Sequence, residues 1–476
     1  MKLVSILTYA GFICSIGFTG CKVPAAIQGP DIKAMPDSYS NTADTTNAAA
    51  IHWRDFFQDK ALVDLIDTAI SNNQDLSIAL QEIEIARNKV RLRNGELYPK
   101  VSAGGAISLE KVGRYTSAGA GDASTEITPG KLVPEHLADL YLGLNTSWEV
   151  DVWGKLRAAK KAALAKYLGS IEGRNFVLTN LIAEVANSYY ELISLDSQLD
   201  IIRETIQLQK NQLDIVRVQK EAAVVTELAV KQFEAQVLNS QSREYDILQS
   251  ITEHENKINF LLGRYPQKIA RDKMALKAQV PYQVMTGIPA QLLKNRPDIK
   301  QAEFELQAAK WDMKTARQAF YPSLNISGML GFQAFKPSFL FTFPESLAYS
   351  LIGDVAGPII NRNAIIAEFR SANAYQVEAM YSYQKVLLSS YVEVANEVSN
   401  ISNLEKLYSV KSKEVEALTK SIDISTDLFK SARANYLEVL TAQRDALSSG
   451  LELIDVKQRQ FMAITNMYKA LGGGWK

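Results

Sequence analysis

Leu140-Tyr141-Leu142-Gly143-Leu144-Asn145-Thr146-Ser147-Trp148-Glu149-Val150-Asp151-Val152 runs directly into Trp153-Gly154-Lys155-Leu156-Arg157. In the first stretch Leu140, Leu142, Leu144, Thr146, Trp148, Val150 and Val152 alternate with residues of mixed to polar character. A period of two puts the sets on opposite faces of a strand. One apolar and one watery face suit a tilted strand crossing a bilayer, for which about ten residues suffice. A soluble sheet with one face on a core shows the same alternation, so this stretch alone leaves both readings open. Beyond Gly154 the pattern changes. Arg174 to Leu262 contains neither Gly nor Pro, in a chain of 476 residues that holds 25 Gly and 14 Pro. Such a run far exceeds an ordinary globular helix and predicts a rod.

The same order occurs twice, as self-comparison at fixed offsets shows. At an offset of 223, Asp75 falls on Asp298, Ala79 on Ala302, Glu82 on Glu305, Ala86 on Ala309 and Tyr98-Pro99 on Tyr321-Pro322. At an offset of 209, Glu184-Val185-Ala186-Asn187 falls on Glu393-Val394-Ala395-Asn396 and Leu262-Gly263 on Leu471-Gly472. The first copy therefore carries 14 extra residues between its Tyr-Pro and its long polar stretch. Val101, Ala103, Gly105, Ile107 and Leu109 form a second alternating segment in that copy. Leu324, Ile326, Gly328, Leu330 and Phe332, then Tyr349, Leu351, Gly353 and Val355, are their counterparts in the other, and Ile359 to Ser449 is the second breaker-free run.

Each rod is expected to turn back once. Thr226 and Asn435 are equivalent N-cap residues, and Asn435 with Glu438 has capping-box spacing. Outgoing helices from about Gly154 to Glu221 and from about Asn363 to Lys430 would each span about 100 Å. Their many alanines, such as Ala158, Ala162 and Ala165 or Ala364, Ala367 and Ala372, fit close packing between helices and equally fit plain helix propensity. Four strands make an open sheet whose edges cannot lie in lipid, and closed barrels begin at about eight strands. If these strands cross a membrane, several chains share one barrel.

Composition narrows the function. The chain has 52 Lys and Arg against 52 Asp and Glu, without the basic excess that phosphate binding requires, so no nucleic-acid partner is expected. His52, His136 and His254 are scattered, and no HExxH or GxSxG pattern occurs, which leaves an enzyme reading without support. The chain starts with Met1-Lys2, an uncharged apolar stretch from Leu3 to Phe18, and then Phe18-Thr19-Gly20-Cys21. This has the form of a lipoprotein signal with cleavage ahead of an acylated Cys21; the alternative is an ordinary signal peptide or anchor with an incidental Cys. Past it no stretch of 18 apolar residues predicts a spanning helix.

Four stretches together carry a family resemblance: Phe18-Thr19-Gly20-Cys21, Trp148 to Arg157, Arg296-Pro297-Asp298-Ile299 with Ala302-Glu303, and Ala470-Leu471-Gly472-Gly473-Gly474-Trp475. From the lipobox to the last residues the chain resembles the outer-membrane factors of the TolC type, and most of all the NodT-type efflux lipoproteins. The resemblance implies a mixed, mainly α fold with a homotrimer of twelve strands in one outer-membrane barrel above a periplasmic α-helical coiled-coil tunnel. It implies an exit duct for small toxic compounds or drugs, joined to a periplasmic adaptor (membrane fusion protein) and an inner-membrane resistance-nodulation-division pump. No cofactor is implied beyond diacylglycerol and an acyl chain, such as palmitate, on Cys21.

On this reading residues 1–20 are the signal peptide, 21–75 a lipidated extension and equatorial segment, 76–265 and 299–472 the two repeats, 266–298 a linker and 473–476 a tail. By the resemblance the adaptor meets the helical tips at Ala222, Ala223, Val224, Ala432, Arg433 and Ala434, where many relatives carry a turn Gly and this chain has Ala223 and Ala432. Glu438 aligns with an acidic gate position, with Thr441 one turn further and Ala229 as its first-copy counterpart. Three Glu438 carboxylates would narrow the bore, favour cations and offer oxygen ligands to divalent ions; completion of the capping box is an equally physical role. Trp148, Trp153, Tyr98, Tyr141, Tyr321, Phe339, Phe341 and Phe343 fit membrane interfaces as a cluster and ordinary packing singly. Two other functions compete: a type I protein secretion duct, and a surface-anchored coiled-coil lipoprotein, which leaves the strand pairs without a purpose.

Overall fold

The computed structural model describes residues 23–31, 33–39, 46–272, 276, 286–357, 362–431 and 433–475. Helices α1 (Trp53–Phe56), α2 (Lys60–Asn72) and α3 (Gln74–Gly95) lead to strand β1 (Lys100–Glu110). Helix α4 (Ser117–Asp122) and a small hairpin of β2 (Glu126–Thr128) and β3 (Lys131–Leu132) precede β4 (Leu137–Val150), α5 (Lys155–Glu221) and α6 (Glu227–Leu261). After α7 (Leu292–Asn295) the order returns as α8 (Pro297–Gln318), β5 (Ser323–Ala334), β6 (Leu347–Ala356), α9 (Arg362–Lys430) and α10 (Tyr436–Ala470).

The duplication is visible in these boundaries. Shifted by 223, α3 coincides with α8 at both ends; shifted by 209, α6 coincides with α10 at both ends. The link from β1 to β4 has 26 residues and the link from β5 to β6 has 12, so the 14 extra residues lie there, as α4 and the β2–β3 hairpin.

By its internal contacts the chain forms two compact units. The first holds the described residues of Met1–Pro30, Ile85–Tyr167 and Phe304–Met380. Its four-stranded sheet has the order β1-β4-β5-β6, antiparallel throughout. At the foot of β4 the stretch singled out above changes from strand to helix. Asp151 accepts from the backbone N–H groups of Leu156 and Arg157 at 3.0 Å each, capping α5, and from Arg157 Nε at 2.9 Å. Gly154 at φ +80° makes the corner, a conformation that costs glycine little. Trp153 stacks on Tyr321 and donates to the Pro322 carbonyl at 2.7 Å, tying the foot of β4 to the second Tyr-Pro corner. Ala316, Phe320 and Phe369 form a small core beneath, joined by Val23.

The second unit, the described residues of Asp31–Glu84, Leu168–Glu303 and Tyr381–Lys476, is helical with a large apolar core. Leu62 and Ile66 of α2 pack there with Tyr189, Ile193 and Ile202 of α5, Ile258 of α6 and Tyr468 of α10. Asp59 caps α2 through the Ala61 N–H at 2.8 Å and accepts from Tyr189 Oη at 2.6 Å, which anchors α2 on α5. Arg271, between Asp196 and Glu255, holds the segment after α6.

Each repeat closes on itself at one junction. In the first, buried Asn73 donates to the carbonyl of Leu261 at 3.0 Å. In the second, Arg296 stands at the position of Asn73 and donates to the carbonyl of Ala470, the counterpart of Leu261, at 2.7 Å. Arg296 also pairs with Asp298 at 2.8 Å and Glu393 at 2.7 Å. Burial disfavours its charge, but these carboxylates more than offset that and hold its pKa above the ordinary value. Gly472, at φ +86°, lies so close that a Cβ would sit 2.7 Å from Asn295 C and O. Gly472→Ala should therefore destabilise the fold by about 2 kcal/mol, seen as a lower midpoint in denaturant unfolding. Gly95→Ala, where a Cβ meets nothing within 4 Å, should leave the midpoint unchanged. Equal midpoints for both variants would contradict this junction.

Candidate functional site

The register turns the four alternating segments into two continuous faces. Ala103, Leu144, Leu330 and Tyr349 stand abreast, as do Gly105, Leu142, Phe332 and Leu347, and Val101, Thr146, Gly328 and Leu351. All lie on one face. Ile107 on this face is 82% exposed and Leu351 is 78% exposed. An apolar surface of this extent is a contact surface and not a water-facing one.

The opposite face carries Ser102, Asp139, Asn145, Ser147, Asn325, Ser327, Gln333 and Asp354. Gln333 donates to Asp139 at 2.8 Å and Asn325 to Asp354 at 3.3 Å, a polar lattice across neighbouring strands. The outer edges of β1 and β6 pair with no strand among the described residues. No helix among them is long and apolar enough to cross a membrane, which says nothing of the strands.

Aromatic residues divide between packing and exposure. Trp148 donates to the Leu97 carbonyl at 3.1 Å and Trp153 to that of Pro322, so both brace the foot of the sheet. Tyr98, Phe339, Phe341 and Phe343 are exposed.

The tips are built by the ends of the long helices. At the end of α5 the N–H of Ala223 bonds to the carbonyl of Lys220 at 3.0 Å and that of Val224 to Gln219 at 2.8 Å. This pair of bonds is the Schellman stop, whose pivot residue must be left-handed. Ala223 is that pivot, at φ +55°. At the end of α9 the N–H of Arg433 bonds to the Leu428 carbonyl at 2.8 Å, the counterpart of the Val224 bond. Ala432, like Cys21, lies outside the described residues. Ala222, Ala223, Val224 and Arg433 are exposed and Ala434 is half-buried. Lys220 pairs with Glu227 across the first tip at 3.1 Å, a contact that the residue types alone do not single out. Leu213, Val216, Phe233, Val237, Phe429 and Val439 form the core above the tips.

Asn435 caps α10 by accepting from the Leu437 N–H at 3.2 Å, and Glu438 Oε1 accepts from the Asn435 N–H at 3.4 Å, so the capping box forms. Thr226 occupies the N-cap of α6 without a side-chain bond. The counterpart positions differ in surroundings: Ala229 is fully buried in the tip core, whereas Glu438 and Thr441 face outward. Among the described residues no three His, Cys, Asp or Glu side chains converge on a metal-sized site.

An apolar-faced sheet with two open edges, followed by paired helices of 67 and 35 residues and of 69 and 35 residues, has well-defined likenesses. The chain matches the Outer membrane efflux protein family over residues 65–264 and 288–473. It is 26% identical over 472 residues to the cation efflux system protein CusC of Escherichia coli O6:H1, covering 98% of both chains. It is 28% identical to the solvent efflux pump outer membrane protein SrpC of Pseudomonas putida, covering 89% of this chain and 87% of that one. The open-state MtrE outer membrane channel of Neisseria gonorrhoeae shares its fold, with a TM-score of 0.81 at 23% identity, over 96% of this chain and 98% of that one. With the matched segments spanning both repeats, the chain belongs to the outer membrane efflux protein family.

Proposed function

We propose that three copies of this chain close a twelve-stranded barrel in the outer membrane and extend it as a periplasmic helical tunnel. This is the passive exit duct of a tripartite efflux system. A periplasmic adaptor and an inner-membrane resistance-nodulation-division pump deliver small toxic compounds into it. The observation that carries this reading is the sheet: one continuous apolar face, one polar face and two unpaired edges. In lipid only a closed barrel satisfies such edges, and identical copies supply the missing strands. The polar face then lines water. The relatives' names, a cation and a solvent efflux protein, support small solutes as cargo. Energy and the choice of substrate belong to the pump, and the duct performs no bond chemistry.

The tips are the gate and the docking surface. Glu438 projects into the bore with Thr441 one turn deeper, and three carboxylates narrow the passage and favour cations. Its outward position, against the buried Ala229 of the other copy, supports one ring of three acids. Capping engages Oε1, so cap and gate coexist. Ala222, Ala223, Val224, Ala432, Arg433 and Ala434 present the apolar, weakly basic ends to the adaptor. Cys21 carries the lipid; the packing of Val23 beside Phe320, just ahead of β5, supports an attachment near the foot of the sheet.

Glu438→Ala should raise single-channel conductance and antibiotic leakage, whereas Glu438→Gln should lower cation selectivity and keep the cap. Unchanged conductance with reduced stability would assign Glu438 to capping alone. Ala223→Gly, which relieves a left-handed Ala, should stabilise the tip by about 1 kcal/mol, read as slower amide exchange at residues 218–226; unchanged exchange would contradict it. Cys21→Ser should abolish acyl labelling while heat-modifiable trimers still insert, since the barrel holds the membrane by itself. Complete loss from the membrane would sink that view.

A further inference from the structure

The duplication reaches down to strand register. Val101 stands opposite Thr146, Lys100 opposite Ser147 and Leu109 opposite Ala138. Shifting β1 by 223 and β4 by 209 turns these into Leu324 opposite Val355, Ser323 opposite Ala356 and Phe332 opposite Leu347. All three are observed pairs of β5 with β6. The two strand pairs share one register although their links differ by 14 residues, so the register belongs to the repeat and not to the loop.

One pairing lacks its counterpart within the chain. Strand β4 of the first repeat joins β5 of the second, and the equivalent partner of β6 is a β1, which in the same chain lies at the far edge of the sheet. The β1 of another copy fits that place, because β1 and β6 run in opposite directions, as β5 and β4 do. The same two shifts applied to Leu142 opposite Phe332, Leu144 opposite Leu330 and Thr146 opposite Gly328 give Leu351 opposite Leu109, Gly353 opposite Ile107 and Val355 opposite Gly105. Apolar residues stay on one face, which a slip of one residue would reverse. Bulk also meets space: a Cβ built on Gly353 has nothing within 4 Å, which leaves room for Ile107 of the neighbour. The tight approach of Gly143 to Gly331 is not repeated, since Ile352 and Ser108 hold those positions and take ordinary strand spacing.

The helices beside these strands obey the same map. Lys166 of α5 pairs with Asp312 of α8 at 2.8 Å. The shifted positions are Tyr375 of α9 and Lys89 of α3. In the single chain Tyr375 is 64% exposed, and Lys89 is exposed without an ion pair among the described residues. An ammonium is attracted to the face of a phenol ring, so this contact changes its chemistry and keeps its place.

We propose that β6 of one copy joins β1 of the next in the register of β4 with β5, setting Leu351 against Leu109, and that Tyr375 meets Lys89 of that next copy. The seam rests on the duct reading and adds to it the residues that each copy presents to its neighbour.

Leu109→Cys and Leu351→Cys are combined in the full-length protein in outer membranes and treated with dibromobimane, which bridges only thiols a few ångströms apart. Covalent trimers are read on gels after boiling, and unheated samples report the trimer itself. Leu351→Cys with Ala103→Cys, about 20 Å apart in this register, and the single variants serve as controls. Linking is expected for the first pair alone. Linking of the second pair, by itself or beside the first, would overturn the register and leave the duct reading standing, and so would intact trimers with no link at either pair. Absence of trimers from the unheated, unaltered protein would overturn both. Lys89→Gln and Tyr375→Leu leave the strands untouched and test the same map if the cysteines prevent assembly. Each should speed thermal dissociation of the trimer about fivefold, the equivalent of about 1 kcal/mol, and the two together no more than either alone. Independent, additive effects, or none, would overturn the contact.

Discussion

Every backbone N–H and C=O of a strand needs a partner, and in hydrocarbon no water supplies one. The sheet has partners for β4 and β5 on both sides, but among the described residues β1 and β6 each leave one edge open. With the apolar face turned to lipid those edges have a single remedy, which is another copy of the same chain. The oligomer is in this sense a hydrogen-bonding requirement. Once the edges join around an axis, the polar face encloses water.

Duplication supplies the scaffold cheaply and then departs from symmetry where function begins. The junctions that close the repeats use equivalent backbone groups, Leu261 and Ala470, and equivalent glycines, Gly263 and Gly472. Yet an amide serves in one copy and a buried guanidinium with two carboxylates in the other. At the tips the same division sends Ala229 into the core and Glu438 outward. Equivalent positions keep the geometry, and unequal residues carry the separate tasks.

Several motifs that marked the family have structural work that no motif scan announces. Asp151 ends a strand and caps a helix, Trp153 staples the foot of β4 to the Tyr321-Pro322 corner, and Arg296 binds the start of α8 to the end of α10. The lipidated extension and equatorial segment before the first repeat carries α2, which puts Leu62 and Ile66 into the large apolar core. Nothing in a short helix of ordinary amphipathicity says which distant helix will cover it, because burial is a property of the partner as much as of the segment.

Period-two alternation, breaker-free runs and a repeat with a 14-residue insert were legible along the chain, and the long helices and the four sheet strands lie close to where these signals put them, β4 ending at Val150 and not at Val152. Such signals are local: they depend on side-chain periodicity and on which residues interrupt a helix, and both are written in neighbouring positions. The register that aligned four apolar stripes into one face, the left-handed Ala223 and the Arg296 clasp were decided only in three dimensions. Each joins residues tens to hundreds of positions apart or follows from how a helix end is packed, and the free energy of such contacts depends on distances that a one-dimensional order does not contain.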